Sequence, residues 1–183
     1  MNRDVDRTIA DADAELSLDD SAVRSTYKSD RAFFELVGIW CRTLGHGHSD
    51  AQTAFGAKRT EVNTEVALDD SAPRAIVAHT AASVAMLQNI LASKDLGSKA
   101  SDVAGEGYRA NLLEDSAWRA SRRNSETIAE LLLVLLERHA APKAMEIRNR
   151  MRSAILTDTS ALRNQSECKG AVVEALYNLI MNP

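Results

Sequence analysis

Aromatic residues are scarce, at 4% of the 183 positions, and there are only three prolines. Sheets draw on aromatic and β-branched side chains, so this shortage argues against a β-rich fold. Few prolines leave long helices uninterrupted. Two cysteines, Cys41 and Cys168, are too few for a disulfide framework and read as free thiols of a reducing compartment. The longest apolar run, Leu131–Leu136, is far too short to span a bilayer. The polar start, Met1 to Asp6, offers no apolar segment of a secretory signal. The expectation is a soluble, cytoplasmic chain without a membrane segment, or one exported by a system that needs no signal peptide. No Gly-rich phosphate loop, paired-cysteine zinc motif or nucleophile elbow occurs.

What is present is apolar and helix-forming. Hydrophobic residues make up 45% of the chain, enough for a sizeable core. The formal net charge is −4, which argues against non-specific nucleic-acid binding. Residues 1–100 hold 11 basic and 15 acidic residues, whereas 101–183 hold 11 of each, so the acidity lies in the first half.

A repeat organises the chain. Leu18-Asp-Asp-Ser-Ala-Val-Arg24, Leu68-Asp-Asp-Ser-Ala-Pro-Arg74 and Leu113-Glu-Asp-Ser-Ala-Trp-Arg119 match one another, and Thr157-Asp-Thr-Ser-Ala-Leu-Arg163 follows more loosely. The serines Ser21, Ser71, Ser116 and Ser160 are spaced by 50, 45 and 44 residues. Twelve residues after each come Phe33, Ser83, Ile128 and Val172; sixteen after, Val37, Leu87, Leu132 and Leu176. Nineteen after come Trp40, Ile90, Leu135 and Leu179; twenty after, Cys41, Leu91, Leu136 and Ile180. Those offsets share one face of an α-helix.

Each Ser-Ala-x-Arg segment also reads as a helix start, because Asp or Ser can cap the first turn and Pro73 is tolerated there. The spacing predicts signature helices over 20–43, 70–93, 115–139 and 159–181. Leading helices are predicted over 3–17, 49–66, 99–113 and 142–156, the third weakened by Gly105 and Gly107. The expected fold is all-α: four tandem helical hairpins, about eight helices, stacked as a short α-solenoid-like array or a closed bundle. Units of approximately 1–48, 49–98, 99–141 and 142–183 form a single domain. One hairpin cannot bury its apolar face alone, so neighbours must stack. The arrangement loosely resembles HEAT-type arrays in unit length and in an Asp and an Arg near one helix, though the register of the apolar positions differs.

Arg24, Arg74, Arg119 and Arg163 are the most repeated charged feature. Asp20, Asp70 and Asp115 precede the first three by four residues, a spacing that makes local ion pairs on a helix. The alternative is an arginine ladder gripping carboxylates or phosphates of a partner. His46, His48 and Asp50 resemble the His-x-His-x-Asp start of the metallo-β-lactamase-type hydrolase motif, which implies a metal-dependent hydrolase. Ala51 stands where that motif continues with His, and no strands are expected to carry it. Arg119, Arg122, Arg123, Arg148, Arg150 and Arg152, with Trp118, form a locally basic C-terminal half, although Glu126, Glu130, Glu137 and Glu146 dilute it.

Catalytic groups seldom come in four equivalent copies, so the leading expectation is a non-enzymatic interaction module without a cofactor. It would act as an adaptor, effector, immunity or chaperone-like protein that binds a protein partner on a repeat-generated surface. A metal-dependent hydrolase and a weak nucleic-acid binder are the alternatives. The stripe at 13, 17 and 21 residues after the last serine, Val173, Tyr177 and Met181, is wholly apolar. A terminal repeat has no following neighbour to cover such a ridge. It is therefore expected to fold back on an earlier unit or to form a homodimer or partner interface.

Overall fold

The computed structural model describes residues 72–114, 116–157 and 161–181, together with Arg7, Phe33, Leu36, Val37 and Trp40. Among the described residues there are four α-helices and no strand: α1 (Ala72–Ala92), α2 (Gly97–Asn111), α3 (Ala117–Thr157) and α4 (Ala161–Met181). The all-α expectation holds there. The leading helices predicted over 3–17 and 49–66 and the signature helix over 20–43 lie outside that description, apart from the five residues named.

Helix boundaries follow local chemistry. Ser116 caps α3, its Oγ accepting the Arg119 N–H at 3.3 Å, which gives the serine of the signature a structural role. At the end of α1, Asp95 adopts φ 59°. Its N–H donates to the Ala92 carbonyl at 3.3 Å, and the Leu96 N–H reaches back to Leu91 at 3.0 Å. This is a Schellman stop, with Leu96 and Leu91 both buried as its apolar clasp.

Both helices expected over 115–139 and 142–156 form: α3 comprises two helical arms, 117–139 and 141–157, separated by a kink at the non-helical Ala140 (φ −147°, ψ 61°). Pro142 lies two residues beyond the bend. A proline cannot donate to the turn before it but is tolerated in the first turn of a helix, so the chain breaks at Ala140 and restarts with Pro142 near the head of the second arm. The two arms, 117–139 and 141–157, lie antiparallel. Arg148 donates to Glu130 at 2.7 Å and also bonds Glu137, and Arg152 reaches Glu130 at 2.9 Å.

The first arm of α3 is the centre of the described helices. Ile128, Ala129 and every residue from Leu131 to Leu136 are buried. Such a helix, apolar almost all round, must be covered on several sides. It packs against α1, α2 and α4. Asn124 bonds Thr80 in the first half of α1, while Arg138 donates to the Lys94 carbonyl at 2.6 Å just beyond its end. These helices are therefore parallel and in register. Trp40, Ile90, Leu135 and Leu179 are each at most 3% exposed, and Val37, Leu87, Leu132 and Leu176 at most 1%.

Gly105 and Gly107 do not prevent α2 from forming. Gly107 lies close against α3, where a Cβ would collide with Thr127 Oγ1 and lie 2.9 Å from its Cγ2. Tertiary packing here outweighs propensity, which is a weak local preference.

Candidate binding surface

The basic residues of the C-terminal half meet carboxylates. Arg123 contacts Glu114 at 3.0 Å and Glu126 at 3.2 Å, and Arg122 contacts the same two acids at 3.6 and 3.2 Å. Arg150 pairs with Glu174, which also takes Lys143 at 2.8 Å. Burial works to lower the Arg148 pKa, but its hydrogen bonds to Glu137 and Glu130 outweigh this and the net shift is upward. Burial likewise raises Glu174, yet Lys143 and Arg150 donate to it and hold its carboxyl below the usual range. The arginines named for nucleic acid at 122, 123, 148, 150 and 152 are thus engaged within the protein.

Arg119 and Arg163 are exposed on the first turns of α3 and α4. Arg74 is placed by its backbone alone, in the first turn of α1. Arg24 lies outside the described residues, as do His46, His48 and Asp50. Among the described residues, no group of three or more His, Cys, Asp or Glu could hold a metal ion. Cys168 is buried, and burial, with Glu126 nearby, pushes its thiol up to about 12. It stays protonated and unreactive at neutral pH.

The ridge of α4 divides. Tyr177 and Met181 are 42% and 37% exposed, whereas Val173 is half-buried. Val173 lines a small, partly open cavity of about 20 Å³, room for roughly one water molecule. Phe33, Ser83, Ile128 and Val172, each twelve residues after a signature serine, line the same cavity. Val173 therefore faces a side chain from the first unit as well as its own neighbours.

Two clefts open on the sides of α2. One, of about 260 Å³, runs between α2 and α3 and is walled by Glu106, Ala110, Arg123, Glu126, Glu130 and Arg152. The other, of about 560 Å³, runs between α1 and α2, with Ala81, Ala85, Ala104 and Gly105 on its sides and Tyr108 at its rim. Gly107 and Thr127 line both, so their contact is the wall between them.

Sequence reasoning missed several exposed large apolar side chains among the described residues. Tyr108 is 66%, Leu112 67%, Leu113 87% and Leu156 86% exposed. Both α2 and the second arm of α3 run antiparallel to the first arm, and Ala110 and Arg152 share a cleft. Leu112 and Leu113 follow Ala110 closely, and Leu156 lies one turn beyond Arg152, so the three leucines flank the same end of that cleft. Leu113 opens its copy of the signature.

No protein-family model, curated protein or solved structure matches the chain. No helix among the described residues is long and apolar enough to cross a membrane.

Proposed function

We propose that this chain is a non-enzymatic interaction module that binds a protein partner, built from four helical hairpins whose signature helices close around a common centre. The closed form is supported by equivalent residues of all four copies lining one cavity. Hydrogen bonds between residues 44 positions apart, Thr80–Asn124, Lys94–Arg138 and Ser121–Gln165, support side-by-side packing of successive copies.

The observation that carries the function is the exposed group Tyr108, Leu112, Leu113 and Leu156. Single exposed apolar residues are ordinary, but a cluster of large ones on a fold with a well-covered core marks a contact site. Tyr108 joins this cluster to the groove between α1 and α2, whose small side chains admit a peptide or helix from a partner. The exposed arginines Arg119 and Arg163, with Arg24 and Arg74 as their sequence equivalents, would add carboxylate contacts along the signature edge.

A photo-reactive amino acid placed at Leu113, with another at the exposed Lys99 as control, tests this in lysate of the native host. A discrete adduct at position 113 that is lost when Leu112 and Leu156 become lysine, with helical content unchanged, is the expected result. Equal labelling at both positions would refute the reading. Homodimerisation through Tyr177 and Met181 is the second reading, favoured by their exposure at the end of the array. Light scattering of wild type beside Tyr177→Lys separates the two, since only self-association changes the mass of the isolated chain. Metal analysis of untagged protein addresses the hydrolase alternative through His46, His48 and Asp50, where a stoichiometric ion would overturn the non-enzymatic reading.

A further inference from the structure

The apolar faces of the signature helices are close to interchangeable. Leu87, Leu132 and Leu176 occupy one equivalent position, and Ile90, Leu135 and Leu179 another, all of them buried. Apolar burial is non-directional and follows area, so exchanging two copies, or sliding one by a turn, costs these faces little. Something else must fix which helix neighbours which, and at what register.

The N-terminal halves of the same helices are joined by polar groups. Asn124 Nδ2 on α3 donates to Thr80 Oγ1 on α1 at 3.1 Å, and Gln165 Nε2 on α4 donates to Ser121 Oγ on α3 at 2.7 Å. Thr80, Ser121, Asn124 and Gln165 are between 1% and 7% exposed. Asn111 Nδ2 extends the first pair by donating to Asn124 Oδ1 at 3.1 Å. Both cross-helix pairs join residues 44 apart, which is the spacing of the third and fourth serines and one less than that of the second and third.

Unlike the apolar positions, the polar ones differ between copies. Five residues after the serine stand Ile76, Ser121 and Gln165; nine after stand Thr80, Ser125 and Lys169. Gln165 finds a hydroxyl at the equivalent position of the third copy, where the second copy has isoleucine. Sliding α1 by four residues would set Asn124 against Val84 in place of Thr80. A buried amide without a partner carries its full desolvation penalty, so wrong neighbours and wrong registers are selected against. The seam is not arranged for greatest stability, since Asn111 Oδ1 is shut from water and has no donor.

We propose that the Thr80–Asn124 and Ser121–Gln165 pairs set the order and register of the signature helices, and do so without adding net stability. A buried polar residue that fixes the register of a coiled coil works on the same principle. The test is a full-length quadruple variant, Thr80→Val, Ser121→Ala, Asn124→Leu and Gln165→Leu, followed by urea denaturation and amide NMR. The expected result is a denaturation midpoint equal to or above that of wild type, with the single set of amide resonances replaced by broadened or multiple sets. One sharp set with wild-type contacts between residues 44 apart would overturn the proposal, because apolar shape would then suffice. Loss of the folded state would also overturn it, because the pairs would then be stabilising. A second variant, Thr80→Asn with Asn124→Thr, keeps a complementary pair in the native register and should give one sharp set. Multiple sets from this variant would show that the pairing does not specify the register.

Discussion

Replacing Gly107 by alanine tests whether α2 is seated on α3 at Thr127. In an unhindered helix, Gly→Ala gains about 0.8–1 kcal/mol from backbone propensity. Gly105 supplies that reference, because a Cβ there meets nothing within 4 Å. At Gly107 the new methyl would collide with Thr127 Oγ1 and sit 3.0 Å from its Cβ. Thr127 is buried, and its hydroxyl donates to the Arg123 carbonyl at 2.9 Å. Clearing the space therefore means breaking that bond or prying the helices apart. Overpacking of this kind costs about 1–3 kcal/mol. The propensity gain is common to both variants and cancels in their difference, so Gly107→Ala should be less stable than Gly105→Ala by about 1–3 kcal/mol. At roughly 2–4 °C per kcal/mol for a chain of this size, the gap in Tm is on the order of 2–12 °C. Urea denaturation followed by circular dichroism, read as midpoint and slope, measures it. Adding Thr127→Ala to Gly107→Ala removes the colliding atoms and should recover part of the loss as a non-additive coupling. If Gly107→Ala matches or exceeds Gly105→Ala in stability, α2 does not approach α3 at Thr127, and the wall between the two clefts is misplaced.

Three further outcomes are expected. Leu132, fully buried in the first arm of α3, should lose about 2–5 kcal/mol on Leu132→Ala, measured by denaturant titration; a loss below about 1 kcal/mol would place that helix at the surface. Asp95 occupies the left-handed region that glycine enters without penalty, so Asp95→Gly should raise stability by up to about 1 kcal/mol, and a fall in Tm would show that the aspartate side chain has a role of its own. Glu174 is held below its ordinary pKa, so its contribution is present above the unfolded carboxylate pKa and fades as pH falls through the folded value. Lys143 is raised by its bonds to Glu174 and Glu146, so its contribution is full below the unfolded lysine pKa and fades as pH rises through the folded one. Glu174→Gln should thus lower the Tm between those limits and leave the stability less dependent on acid pH; an unchanged pH profile would mean that the network is only a surface arrangement.

Among the described residues, the sequence by itself determined the helical class and the positions of most helix ends. Four runs of aliphatic residues at one helical spacing, each preceded by a serine of a type that can cap a helix and few of them interrupted by proline, leave a chain little alternative to helices with one buried face. Ser116 does cap α3, and Ile90, Leu135 and Leu179 are buried as that spacing requires. These are local effects, set by propensity and capping within a few residues. The tertiary structure decided what depends on neighbours distant in sequence. Gly107 reads locally as a weak point in a helix, and only the approach of Thr127, twenty residues on, makes it a necessary one. Leu113 belongs to the repeated signature, yet it stands 87% exposed, which its place in the repeat does not foretell. The C-terminal arginines look like a basic patch until the folding of the two arms brings Glu130 and Glu137, and the packing of α4 brings Glu174, against them. Hydrophobic pattern states that a residue prefers to be covered, but which residues are covered, and which charges are met, follows from how whole helices stack, because burial and pairing are sums over contacts that one segment does not contain.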